Sequence, residues 1–373
     1  VNRRTWILAT AAALSIAALG AAPASFAVAP SQLERAGFSP LPANVDGDGV
    51  TVAVVDSGLD LDHPSFAGRI VTGWDFVDGD DYPDDENGHG THVAGIVAAS
   101  AGGATPGAAP GASIMPVRVL DASGAGSSET IADGILWAAD HGADVINLSV
   151  DDSGRFDRIR KNGPIAGAIR AVSNRAVVVV AAGNDSQFEE LFRAGVPALV
   201  VVAVDDQGQP APFTNVGDPR AVAAPGVEVL STAPTGPTTL FPSGTDGTAT
   251  LSGTSMAAPF VSAEAALLIQ TGHDASQVAE TILASAQPTT DPRTGAGIID
   301  AAAAIEHAGS ASAPSAAPPT PVAIASATPT LEASPGSATV ADDGSSYLLA
   351  VIIILGVLVV AFIVAFIVAL RRP

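Results

Sequence analysis

Short apolar blocks alternate with helix-spaced stretches along the middle of the chain. Val50 to Val55 is β-branched and apolar between Gly49 and Gly58, the pattern of a strand buried on both faces. Ala112 to Leu120, Asp144 to Ser149, Ala176 to Ala181 and Ala198 to Val204 share that texture. Gly90 to Ala99, Glu129 to His141, Ile165 to Asn174, Ser276 to Ser285 and Ala301 to His307 read as helices. Met256 to about Thr271 is rich in Ala and Leu and predicts a buried helix. Pro259 falls in its first turn, where a missing N–H costs little. Strands alternating with helices predict an α/β sandwich: a mostly parallel sheet with helices on both faces. In such folds active residues gather beyond the carboxyl ends of the strands.

The pattern changes at both ends. Asn2-Arg3-Arg4 precedes an apolar run from Trp6 to Ala22 and a small-residue exit, so residues 1–27 read as a signal peptide. Residues 28–48 are a short polar, proline-bearing lead-in, and 49–308 read as the folded domain. Residues 309–346 are Ala, Ser, Pro and Thr with almost no large apolar side chain, which predicts an extended linker. Residues 347–370 hold an unbroken apolar run of membrane-spanning length and predict a transmembrane helix. Arg371 and Arg372 then place the tail, 371–373, on the cytoplasmic side and the large domain outside.

Composition narrows the function. With 47% hydrophobic residues the chain can bury a large core. It has no cysteine, so no disulfide or thiolate metal site holds the fold. A net charge of −22 argues against nucleic acid as a partner. The same charge suits divalent cations.

Three stretches carry chemistry. Ala53-Val54-Val55-Asp56-Ser57-Gly58 puts a carboxylate at a strand end. Asn87-Gly88-His89-Gly90-Thr91-His92 puts an imidazole at a helix start. Ser252-Gly253-Thr254-Ser255-Met256 puts a hydroxyl at the N-terminus of the buried helix, where the helix dipole and free N–H groups favour an oxyanion. A hydroxyl needs a base in contact, and the base needs a carboxylate to set its tautomer. Each stretch alone has an ordinary reading; Ser is a common N-cap. His89 and His92 lack the His-Glu-x-x-His spacing of helix-borne zinc proteases. The Gly-x-Ser-x-Gly elbow of lipases is absent around Ser255.

Together, in the order Asp, His, Ser, the motifs resemble those of the subtilisin-like serine proteases over about Gly49 to His307. The resemblance implies a doubly wound sandwich, a serine endopeptidase acting through Asp56, His89 and Ser255, and Asn184 as oxyanion donor. It implies peptide-binding edges at Gly124-Ala125-Gly126 and at Ser149-Val150. The next residues, Asp151-Asp152, replace a usual Gly-Gly and suggest a tilt toward Arg or Lys at P1. The acidic stretch before His89 is similar to a thermitase-like calcium loop, with Asp75, Asp80 and Asp84 at the matching positions and Asp78 as an extra. A second family calcium site lacks its Asp, because Ser65 follows His63-Pro64. No organic or redox cofactor is implied, and calcium would be structural. Signal, protease, linker and anchor resemble the layout of mycosins, the membrane-anchored subtilases of type VII secretion. That layout implies a protease at the outer face of a membrane. The alternative is a structural component of a secretion or envelope complex, partnered by the secretion system, with proteolysis secondary. Glu264, inside the apolar helix where relatives carry a small residue, has no account from sequence.

Overall fold

The computed structural model describes residues 31–150, 163–187, 196–218 and 220–311. In chain order the elements are α1 (Gln32–Arg35), β1 (Thr51–Asp56), β2 (Trp74–Asp75), α2 (His89–Ala98), β3 (Ser113–Arg118), α3 (Ser128–Asp140) and β4 (Val145–Leu148). They continue with α4 (Pro164–Val172), β5 (Val177–Ala181), β6 (Leu199–Val204), β7 (Val222–Pro225), β8 (Val229–Thr232) and β9 (Thr248–Leu251). Helices α5 (Thr254–Gln270), α6 (Ala275–Ser285) and α7 (Ala301–Ala311) complete the set.

Seven strands form one parallel sheet in the order β2-β3-β1-β4-β5-β6-β7. Strand residues alternate between its two faces. Val52, Val54, Val177 and Val179 pack with α2 and α5 in one core. Ala53, Val55, Val178 and Val180 pack with Ile131, Ile135, Ile165 and Ile169 of α3 and α4 in the other. Both faces are covered, which is why the strands read as continuous apolar runs. Helix α5 lies across β4 to β7 with Leu267, Leu268 and Phe260 fully buried. Each such side chain stabilises the fold by about 1.5–3 kcal/mol.

The chain adds β3 on one side of β1 and β4 on the other. The crevice outside the carboxyl ends at such a reversal is where α/β folds bind ligands. Asp56 ends β1 there, and α2 and α5 both begin nearby.

The strands and longer helices expected from the apolar pattern are present, with ends shifted by a residue or two except for α7, which runs four residues beyond His307. Strands β2 and β7 to β9 were not foreseen, because each has only two to four residues and β8–β9 is a half-exposed hairpin.

The membrane reading is corrected. Among the described residues no helix is long and apolar enough to cross a membrane. The apolar helix α5 has 17 residues, short of the roughly 20 that a span needs, and is wrapped by sheet and helices rather than left for lipid. The transmembrane helix, the anchored topology with a cytoplasmic tail and the membrane as partner are therefore not carried forward. The stretch behind them, 347–370, lies outside the described residues, as do the expected signal peptide, most of the linker, and Asp151-Asp152.

Candidate active site

Asp56 is fully buried at the end of β1. His89 is the first residue of α2, and its Nδ1 lies 2.8 Å from Asp56 Oδ1. A close approach of the two segments allows this: a Cβ on Gly90 would sit 2.1 Å from Gly58 O, so only glycine fits. Ser255 is the second residue of α5 and is 4% exposed. At that position a helical N–H has no acceptor within its own helix.

Strand register brings the serine to the carboxylate. Val55 pairs with Leu148, so Asp56 and Ser149 stand side by side at the ends of β1 and β4. Neighbouring strands are about 4.8 Å apart. Ser255 Oγ donates to Ser149 O at 3.2 Å, and Ser149 Oγ donates back to Ser255 O at 2.9 Å. A buried polar chain extends the anchor: Asn147 Nδ2 donates to Ser149 Oγ at 2.9 Å, and Ser262 Oγ of α5 donates to Asn147 Oδ1 at 2.8 Å.

Asn184 follows the end of β5. Its Oδ1 accepts from Thr254 N at 2.9 Å and Thr254 Oγ1 at 3.1 Å. Thr254 Oγ1 also accepts from Gly183 N at 3.0 Å. With the oxygen side of the amide committed to Thr254, the NH₂ side is the one left to meet a ligand.

Gly124-Ala125-Gly126 lies in a tight turn after β3. Asp121 N donates to Ala125 O at 2.8 Å, and Ala125 N donates to Asp121 Oδ1 at 3.0 Å. The Ser123 hydroxyl and the Ala125 N–H hold the Asp121 carboxyl below its usual range. Asn87 Nδ2 donates to Ala122 O at 3.0 Å, joining this turn to the histidine loop. Ser149 and Val150 are buried at the end of β4. His92 is also buried, and its Nε2 faces Ala249 O at 3.1 Å. Burial, then the charge of His89, lowers its pKa to about 4, so the ring is a neutral donor tying α2 to β9.

The acidic loop is organised by a cation that sequence reading overlooked. Arg118, 3% exposed, donates from Nη1 to Asp75 Oδ2 at 2.7 Å and Asp78 Oδ2 at 2.8 Å, and from Nη2 to Glu86 Oε2 at 2.6 Å. Asp75 Oδ1 accepts from Val77 N and Asp78 N. Asp80 meets Asp75 through its backbone, and Asp84 is exposed, bridged to Leu59. Partial loss of water around its carboxyl, then the charges of Asp60, Asp85 and Glu86, raise the Asp84 pKa. In this arrangement Asp75 and Asp78 are held by Arg118, while Asp80 and Asp84 stand apart from that ion pair. Both Asp75 oxygens accept hydrogen bonds, and among the described residues no group of three or more acidic or histidine side chains is arranged as a metal site.

A parallel α/β sandwich with a carboxylate, an imidazole and a hydroxyl at one switch point has the outline of a serine hydrolase. The comparisons make this specific. The profile of the subtilase family matches residues 47–300. Thermitase from Thermoactinomyces vulgaris is 41% identical over 255 residues, covering 68% of this chain and 85% of that protein. A thermophilic serine proteinase from Bacillus sp. (strain AK1) is 40% identical over 253 residues, covering 67% of this chain and 58% of that one. Among solved structures, a protease from Pseudoalteromonas arctica superposes with a TM-score of 0.60 at 30% identity, covering 75% of this chain and 93% of that one. A cold-adapted subtilisin-like serine proteinase gives 0.59 at 29%, covering 72% and 95%. The chain belongs to the subtilase family and is a subtilisin-like serine endopeptidase. These matches lie in the protease domain, residues 47–300 for the family profile, and among the described residues no helix is long and apolar enough to cross a membrane. The mycosin-like layout is corrected accordingly.

Proposed function

We propose that Asp56, His89 and Ser255 are the catalytic triad of this endopeptidase and that Asn184 is its oxyanion donor. The observation that carries the reading is the 2.8 Å contact between His89 Nδ1 and a fully buried Asp56, with Ser255 hydrogen-bonded to Ser149 at the end of the neighbouring strand. A peptide adds as a strand along Gly124-Ala125-Gly126 and Ser149-Val150. A substrate N–H arriving at Ser149 O takes the acceptor that the Ser255 hydroxyl uses at rest, and frees that hydroxyl for His89.

Ser255 Oγ then attacks the scissile carbonyl carbon while His89 Nε2 takes its proton. Asp56 holds the Nδ1–H tautomer and stabilises the imidazolium. The carbonyl oxygen becomes an oxyanion held by the Asn184 Nδ2–H and the Ser255 N–H. His89 gives its proton to the leaving amine, the C–N bond breaks, and an acyl-enzyme on Ser255 remains. Water, deprotonated by His89, releases the acid and restores the hydroxyl.

The test is Ser255→Ala. Hydrolysis of an extended peptide should fall by about a million-fold in kcat with the fold intact by circular dichroism. A variant that keeps most of its rate would remove Ser255 as nucleophile.

A further inference from the structure

Helix α2 starts at the imidazole-bearing residue, yet its N-cap, Gly88 with φ +106°, has no side chain with which to cap it. The first N–H groups of a helix have no partner inside it. Three neighbouring side chains take them instead. Asn87 Oδ1 accepts from His89 N at 3.3 Å, Ser57 Oγ from Gly90 N at 3.0 Å, and Asp85 Oδ2 from Thr91 N at 2.8 Å.

Asp85 does more than cap. It is 4% exposed, and the same carboxylate accepts from Thr91 Oγ1 at 2.7 Å, Ser57 Oγ at 2.8 Å, Gly88 N at 2.7 Å and Asn87 N at 3.2 Å. Ser57 is the residue after Asp56. Its N–H donates to Asp56 Oδ1 at 2.7 Å, the oxygen that also meets His89 Nδ1. One buried carboxylate therefore fastens the end of β1 to the start of α2, on either side of the Asp56–His89 contact. No arginine or lysine neutralises it among the described residues. Its charge rests on N–H and O–H donors and on the positive end of α2.

Taking the triad proposed above as its basis, we infer that Asp85 is a positioning residue for His89. Through Ser57 and the first turn of α2 it holds the ring on Asp56. It also adds a second buried negative charge that favours the imidazolium formed during proton transfer. Displacements of about 1 Å in such a constellation cost about a hundredfold in rate.

The experiment is a set of variants of the full chain assayed on one peptide across pH. Asp85→Asn should lower kcat about 10- to 100-fold with KM within about twofold. Loss of the charge should move the acid limb of kcat/KM to lower pH. In a His89→Ala background the same substitution should leave the residual rate unchanged, because a positioning residue has nothing left to position. Ser57→Ala, which cuts one arm of the tie, should repeat the pattern more weakly, and it decides the matter should Asp85→Asn fail to fold. An unchanged kcat and acid limb in Asp85→Asn, or an equal loss with and without His89, would overturn the inference and leave the triad standing. A His89→Ala enzyme at the wild-type rate would overturn the triad, and this inference with it.

Discussion

Asn184 shows how much one side chain's surroundings decide. Thr254 meets the carbonyl oxygen of its amide twice, which settles which way the amide faces. Asn184→Ala should lower kcat by about 10²–10³-fold with KM nearly unchanged in steady-state peptide kinetics, the cost of losing one preorganised donor. An equal rise in KM would mark it as a binding residue instead. Glu264 makes a different prediction. It is fully buried in α5 with neither oxygen hydrogen-bonded, and burial, then the charge of Asp300, raises its pKa well above the usual glutamate value. The neutral acid is the form the fold accepts. Its folded pKa exceeds its unfolded one, so its contribution is complete below the unfolded pKa and is lost as pH rises toward the folded value. Glu264→Gln removes that loss. Its unfolding temperature should gain on the parent's with rising pH, and parallel curves between pH 5 and 9 would contradict this. At this scale Asp56, His89, Ser255 and Asn184 were legible as candidates because each sits in a short motif that resembles the subtilase pattern. Asp85 and Ser57 stayed hidden, since a capping carboxylate inside an acidic run looks like its solvated neighbours until partners far along the chain are placed.

Among the elements, α2 packs closely against β8. Ser231 Oγ and Thr232 Oγ1 of β8 donate to His92 O and Thr91 O at 2.9 and 2.8 Å. They reach the helix because Gly95 has no side chain there. A Cβ would lie 2.0 Å from Thr232 Oγ1 and 2.5 Å from Ser231 Oγ. Gly95→Val should destabilise the fold by about 1–3 kcal/mol, the usual cost of overpacking, read from urea unfolding. An unchanged midpoint would show that β8 yields freely. The elements that hold the site were legible as blocks: β1, β4 and β5 by their β-branched runs, α5 by its alanines. Strands β8 and β9 were not, because a short hairpin with one face exposed carries too few apolar positions to stand out.

For the whole molecule, the doubly wound architecture followed from the alternation of strand and helix, and register then did what sequence could not. It set Asp56 beside Ser149 and so brought distant stretches together at the carboxyl ends of the central strands. The acidity read from composition has a local form in Arg118, buried among three carboxylates next to the histidine loop. Membrane attachment was inferred from hydropathy and length alone, and the described fold offers it no element. The central claim is that this end of the sheet generates one nucleophile. Treating the purified protein with a fluorophosphonate and mapping the adduct by mass spectrometry tests it most directly. One label on Ser255, absent from Ser255→Ala and strongly slowed in His89→Ala, is the predicted result. Labelling at another residue, or peptide hydrolysis that persists with Ser255 fully modified, would contradict it.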